Sequence, residues 1–244
     1  RDLTATLYLG DGTGGFTDAQ AGLTGVSNSS SSLGDVNGDG TLDLVITGLE
    51  ANDDRTATLY LGDGDGGFTG AQAGLTGVAG GSSSLGDING DGDLDLVITG
   101  NGTATLYLGD GNGGFTNTYA GLRGVRGGSS SLGDVNGDGA LDLVITGSGT
   151  ATVYVGDGDG FFTDAQAGLT GVRGGSSSLG DVNGDGALDL LITGFDENFD
   201  QTATLYLGDG TGGFTDAQAG LTGVGDSSSS LGDVDGDGDA DLLV

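Results

Sequence analysis

An all-β fold built from repeated four-stranded units is predicted for this sequence of 244 residues, on three observations. A segment of the form LGDVNGDG returns with its first acid at Asp35, Asp87, Asp134, Asp181 and Asp233, at spacings of 52, 47, 47 and 52. A segment of the form TATLYLGDG returns at the same spacings, with its tyrosine at Tyr8, Tyr60, Tyr107, Tyr154 and Tyr206. The apolar runs between are short, rich in Val, Ile, Leu, Thr and Tyr, and bounded by Gly, Asp and Asn, and none keeps a helical period.

Each unit reads SSSLGDVNGDG, then LDLVITG, then TATLYLGDG, then GGFTDAQAGLTGV. The serine run is the strand nearest a central axis, where converging sheets admit only small side chains. LDLVITG is apolar enough for the buried second strand, TATLYLG is the third, and the segment after the Gly-Gly-Phe turn is the outermost. Four strands in about 47 residues is the size of a β-propeller blade, between WD-type repeats at ~40–45 and kelch repeats at ~50, and five copies lie within the usual ~4–8 blades. The expectation is one domain over residues 1–244, a five-bladed β-propeller with four antiparallel strands per blade. Val244 stops inside a second strand and Arg1 begins just before a third, so counting from Asp233 through the end and round to Asp35 takes 46 residues, one more period. One blade is therefore expected to be closed by both termini, either in one molecule or by exchange between neighbours in a filament.

Composition excludes several chemistries. The chain has no Cys, His, Pro, Met or Trp, which removes thiolate nucleophiles, disulfides, the usual zinc sites and a Ser-His-Asp triad. With 36 acids against 5 Lys plus Arg and a net charge of -31, it repels nucleic acid and anionic lipid surfaces, and no run is long enough for a membrane helix. The 58 glycines and the acidity suit ordered turns better than disorder, because the apolar runs recur in register. Without His or Lys to activate a serine, an enzyme is not expected, and an acidic pair repeated in every unit reads as structure.

The acidic loops at 35–43, 87–95, 134–142, 181–189 and 233–241 carry the visible chemistry. In the first, oxygen side chains stand at loop positions 1, 3, 5 and 9 (Asp35, Asn37, Asp39, Asp43), with Gly40 at position 6. That pattern wraps a hard cation, the carbonyl of position 7 filling the remaining gap, and calcium suits a flexible all-oxygen loop better than magnesium. The Asp-Gly loops at Asp11, Asp63, Asp110, Asp157 and Asp209 are adequately explained as turns.

Position 12 of the acidic loop is Ile46, inside an apolar strand, which separates it from an EF-hand or dockerin loop. The unit GDVNGDGxLDLVI followed by a strand and a GDGxGGF turn resembles the FG-GAP or VCBS repeat, and the resemblance covers all 244 residues. It implies a calcium-binding β-propeller like integrin α-chain heads and some secreted microbial proteins and lectins. Such propellers are usually seven-bladed, so five units imply a smaller ring or two units outside this chain. The ligands it implies are Asp35, Asn37, Asp39 and Asp43 with the Thr41 carbonyl; Asp87, Asn89, Asp91 and Asp95 with that of Asp93; Asp134, Asn136, Asp138 and Asp142 with that of Ala140; Asp181, Asn183, Asp185 and Asp189 with that of Ala187; and Asp233, Asp235, Asp237 and Asp241 with that of Asp239. About five Ca²⁺ ions are expected.

Where the repeat is broken, the connections Leu49–Thr56 (LEANDDRT) and Phe195–Thr202 (FDENFDQT) are eight residues long against three elsewhere. Exposing Leu49, Phe195 and Phe199 among acids, they are expected to form a partner or self-assembly surface. Asn28 and Asn101 stand in glycosylation sequons. The function expected is an extracellular, calcium-stabilised structural or adhesive module, with a subunit of a surface filament as one form of it. The alternatives are a lectin holding glycans between blades and, given the near-identical units, an engineered or idealised propeller.

Overall fold

The protein is described by a computed structural model over residues 3–235 and 240–243. Short strands with glycine-rich turns give four complete antiparallel sheets of four strands each. The first sheet comprises β3 (Ser27–Gly34), β4 (Asp43–Leu49), β5 (Arg55–Gly62) and β6 (Phe68–Ala71). The second has β7 (Ser83–Gly86), β8 (Asp95–Gly100), β9 (Thr103–Gly109) and β10 (Phe115–Thr118). The third has β11 (Ser130–Gly133), β12 (Asp142–Gly147), β13 (Thr150–Gly156) and β14 (Phe162–Asp164), and the fourth β15 (Ser177–Gly180), β16 (Asp189–Phe195), β17 (Gln201–Gly208) and β18 (Phe214–Asp216). Two-stranded sheets lie before and after them, β1 (Tyr8–Gly10) with β2 (Phe16–Asp18) and β19 (Ser230–Gly232) with β20 (Asp241–Leu243). Among the described residues no helix is long and apolar enough to cross a membrane.

The sheets stack as propeller-like blades, and the core lies between them. Val36, Val45 and Leu59 of the first sheet bury against Leu96, Ile98 and Tyr107 of the second, and the same arrangement joins the second to the third and the third to the fourth. Three polar devices repeat with the core. The hydroxyls of four of the repeat-equivalent tyrosines accept a backbone N–H from the preceding loop: Thr24 to Tyr60, Thr76 to Tyr107, Arg123 to Tyr154 and Thr170 to Tyr206, at 2.9–3.1 Å. Inner-strand serines form rungs from sheet to sheet, Ser32 to Ser83, Ser84 to Ser130, Ser131 to Ser177 and Ser178 to Ser229, with hydroxyl oxygens 2.7–2.8 Å apart. Above them runs a backbone collar in which Gly80 N–H donates to Asn28 O, Gly127 to Gly80, Gly174 to Gly127 and Asp226 to Gly174. The inner strands contact one another in the order β3, β7, β11, β15, β19, as expected for serine-rich strands nearest an axis.

At the ends these devices stop. Tyr8 is 59% exposed where Tyr107 is 2% exposed. Leu33 and Leu42 are exposed where their equivalents Leu85 and Leu94 pack against the first core cluster. At the other end Val234 and Leu243 are 83% and 71% exposed, against 2% and 0% for Val36 and Val45. Among the described residues, β1–β2 and β19–β20 are two separate sheets with no ladder between them, and no sheet closes.

The two long connections differ from expectation. Both are ordered turns of one design: Glu50 N–H donates to Asp54 O and Asp53 N–H to Glu50 O, and Asp196 N–H donates to Asp200 O and Phe199 N–H to Asp196 O. Leu49 and Phe195 are half-buried rather than exposed. Phe195 lies over Gly225, where any Cβ would meet its ring. Of the three apolar residues only Phe199 is exposed, with the Arg173 guanidinium 5.1 Å from its ring centroid.

Candidate metal centres

The acidic loops join the first and second strands of each blade, so all open at the same end of the strands. Their curl comes from side chains accepting nearby backbone N–H groups. In the first, Asp39 N–H donates to Asn37 Oδ1 at 2.9 Å and Thr41 N–H to Asp39 Oδ1 at 2.8 Å, while Gly40 N–H donates to Asp35 Oδ2 at 2.9 Å. Gly38 and Gly40 adopt φ of 70° and 87°, a region that any Cβ would disfavour. The second, third and fourth loops repeat the pattern, with Gly92, Gly139 and Gly186 donating to Asp87, Asp134 and Asp181.

The ninth-position aspartates have a role that offsets alone do not reveal. Asp43, Asp95, Asp142 and Asp189 are fully buried. In each, Oδ2 accepts the N–H of the second loop residue (Val36, Ile88, Val135, Val182) at 2.8–2.9 Å. Oδ1 accepts the N–H at the end of the third strand (Gly62, Gly109, Gly156, Gly208) at 2.9–3.0 Å. One carboxylate thus brackets loop and sheet.

The donor set fits a hard divalent cation. Asp87 Oδ1 is buried and has no hydrogen-bond partner, an acceptor that a cation would satisfy. Burial pushes the Asp95 and Asp142 carboxyls up despite their amide donors, and neighbouring acids add to the rise: Asp91 for the first, Asp138 and Asp134 for the second. The Thr41 hydroxyl, then its amide, holds Asp39 below the usual carboxylate range. In the fifth loop, oxygens of Asp233, Asp235 and Asp241 lie within 4.8 Å of one another. Asp237 and Asp239 fall outside the described residues. At position 7 the side chain varies from Thr41 to Ala140, consistent with use of the carbonyl alone.

The Asp11, Asp63, Asp110, Asp157 and Asp209 carboxylates accept backbone N–H groups two and four residues onward, as in Asp110 from Asn112 and Gly114 at 2.9 Å. These amides lower their pKa values and account for the residues as turn formers. Asn101, read from sequence only as a sequon, has its amide in place against the backbone. Oriented to satisfy its neighbours, it donates to Ala79 O at 3.1 Å and accepts from Ala79 N at 3.2 Å and Arg55 Nε at 3.1 Å.

Blades of this kind, with an acidic loop between inner strands and a tyrosine clasp on the third, define an all-β repeat protein with one acidic loop per repeat. Four overlapping matches to the FG-GAP-like repeat, at residues 35–98, 87–145, 134–192 and 181–244, show that the chain belongs to that family. Among solved structures it is similar to an Agrocybe aegerita lectin described as recognising non-reducing terminal N-acetylglucosamine, with 25% identity, a TM-score of 0.50, and coverage of 75% of this chain and 49% of that one. It is also similar in fold to the Vibrio cholerae biofilm matrix protein Bap1, with 23% identity, a TM-score of 0.52, and coverage of 90% of this chain and 35% of that one. The chain thus spans half or less of the length of these structures. No curated protein matches it.

Proposed function

We propose that the chain is a calcium-holding extracellular module, structural or adhesive rather than enzymatic, with one ion per acidic loop. The observation that carries this reading is the acceptor-rich loop itself, and above all the buried, unpartnered Asp87 Oδ1. The ion would be held by the side-chain oxygens of loop positions 1, 3, 5 and 9 and the carbonyl of position 7, the ninth aspartate also accepting the amides that bracket loop and sheet. It would supply positive charge among carboxylates that otherwise repel. At ~100 times its dissociation constant each ion would stabilise the fold by about 2.7 kcal/mol. Calorimetric titration should show about five calcium equivalents, and the melting temperature should fall on chelation. A melting temperature indifferent to both would overturn the reading.

The five-bladed ring belongs to the same proposal. A cavity of about 370 Å³ beside β1, lined by Leu7, Leu23, Leu44, Ile46 and Phe68, occupies the place that second-strand side chains fill in the complete blades. The residues equivalent to those side chains are the exposed Val234 and Leu243. Pairing β20 with β1 would bury both, each contributing ~1.5–3 kcal/mol, and would supply the missing tyrosine clasp and serine rung. A compact monomer in light scattering, with β1 amides protected from exchange, supports ring closure. Open polymers would replace it with strand exchange between copies.

A lectin role is the second reading, favoured by the similarity to the N-acetylglucosamine-recognising lectin. A glycan array decides it: several equivalent binding events per chain support the lectin, and silence leaves the scaffold.

A further inference from the structure

We propose that a pocket at the end of the blades opposite the acidic loops binds a carboxylate-bearing saccharide through Arg55 and Arg126. This site is independent of the calcium reading. The pocket measures about 300 Å³ and is lined by Arg55, Ala79, Gly80, Asn101, Arg126 and Gly127. The chain has only 5 cationic residues against 36 acids, so two guanidiniums on one pocket are a concentration of scarce charge. Arginine presents a planar fork of donors suited to a carboxylate.

The walls are fixed. With its amide oriented to satisfy its neighbours, Asn101 spans both backbone polar groups of Ala79 and accepts from Arg55 Nε, which orients that guanidinium. The collar bonds Gly80 to Asn28 and Gly127 to Gly80 hold the floor. Arg126 lies beside Gly102, whose lack of a side chain leaves it room.

The site arises from a difference between repeats. The position of Ala79 is filled by Arg126 and Arg173 in the next two units. Arg173 already has partners within the chain, donating to Asp196 O at 3.2 Å and lying over Phe199. At residue 79 the short side chain leaves a space facing Arg126 instead. Beside Ala79 and the two glycines, the lining offers the polar side chains of Arg55, Asn101 and Arg126, donors for a carboxylate and for the hydroxyls of a sugar ring. Strand β8 separates the pocket from Asp95 by six residues, or ~20 Å, beyond the ~8 Å screening length of physiological salt, so the acidic loops repel a ligand here only weakly.

The test is a titration of the full chain with sodium glucuronate and, in parallel, glucose, in calcium at physiological salt, followed by amide chemical shifts. Saturable glucuronate shifts at Gly80, Asn101 and Gly127 with none from glucose are expected, and R126A should weaken binding at least tenfold. Ala79→Glu serves as the second variant. A long side chain is native at this position in other repeats, and the new carboxylate should occupy the arginines and abolish glucuronate binding without changing the melting temperature. An oligouronate binding more tightly than the monomer would mark a polysaccharide as the source, and equal affinity per residue would mark the free sugar acid. Equal shifts from glucose, inorganic sulfate competing as well as glucuronate, or undiminished binding by Ala79→Glu would overturn the assignment.

Discussion

Replacing Asp95 by asparagine isolates what the buried ninth carboxylate does for the fold. Its oxygens accept from Gly109 at 2.9 Å, Ile88 at 2.8 Å and Asn89 at 3.2 Å. An amide of the same shape keeps one accepting oxygen and turns an NH2 group toward the remaining donors. If the oxygen stays on Gly109, the Ile88 and Asn89 amides lose their acceptor. Hydrogen bonds to a charged group contribute ~1.5–3 kcal/mol each, and a buried donor left without an acceptor costs ~1–3 kcal/mol. Burial pushes the Asp95 carboxyl up, so removing its charge returns part of that loss. The net cost expected for D95N is about 2–4 kcal/mol, which at ~2–4 °C per kcal/mol lowers the melting temperature by roughly 4–16 °C. Calorimetry in excess chelator and again in calcium measures it. If the carboxylate brackets loop and sheet through its amide bonds, the full loss appears in chelator. A variant that melts with wild type in chelator and falls behind only in calcium would refute it, because Asp95 would then act through the ion alone.

Removing the inter-blade clasp with Y107F deletes the 2.9 Å bond from Thr76 N–H and should cost ~0.5–1.5 kcal/mol, read as a shift in denaturant midpoint. Under the ring proposal Y8F should cost a similar amount, and a silent Y8F beside a destabilising Y107F argues that the split blade is not assembled. L96A, at a side chain with no exposed surface, should lose ~2–5 kcal/mol in the same assay. The amides of Asp65 and Gly67 hold the Asp63 carboxyl below its usual range. A carboxyl so depressed adds stability above its unfolded pKa of ~3.9 and loses it as pH falls through the folded value. In chelator the stability gap between wild type and D63N should therefore be constant near neutrality and close below about pH 3.9.

The blade pattern was legible because strand boundaries recur at fixed offsets from the Asp and Tyr of each unit, and the inner serine strand was legible from side-chain size. Loop offsets identified the acidic residues but not the bracket made by Asp95, because one of its partners, Gly109, lies at the far end of the neighbouring strand β9, 14 residues on. Phe195 reads as exposed in a local view, being apolar among acids in an inserted loop. The space it fills exists because residue 225 is glycine, a pairing across 30 positions that local sequence does not signal. The arginine pocket was missed for a similar reason. A sequon draws attention to Asn101 as a modification site, whereas its contacts with Ala79 and Arg55 depend on how neighbouring blades stack. A census of the few cations by repeat position, which singles out Ala79 immediately before two units bearing arginine there, is the signal that could have found it.

The serine rungs bear on how such a molecule changes size over generations. Hydroxyls meeting hydroxyls at 2.7–2.8 Å place polar, interchangeable contacts at the centre, and each rung is the same as the next. Among the described residues, these rungs involve only serine hydroxyls and no large side chain shaped for a fixed number of neighbours. Unequal recombination between near-identical gene segments could therefore insert or delete a whole blade, and the newly adjacent surfaces would find the partners they already had. The central ladder makes blade number a quantity that copying errors can alter, leaving the curvature at each blade-to-blade contact to decide which lengths close.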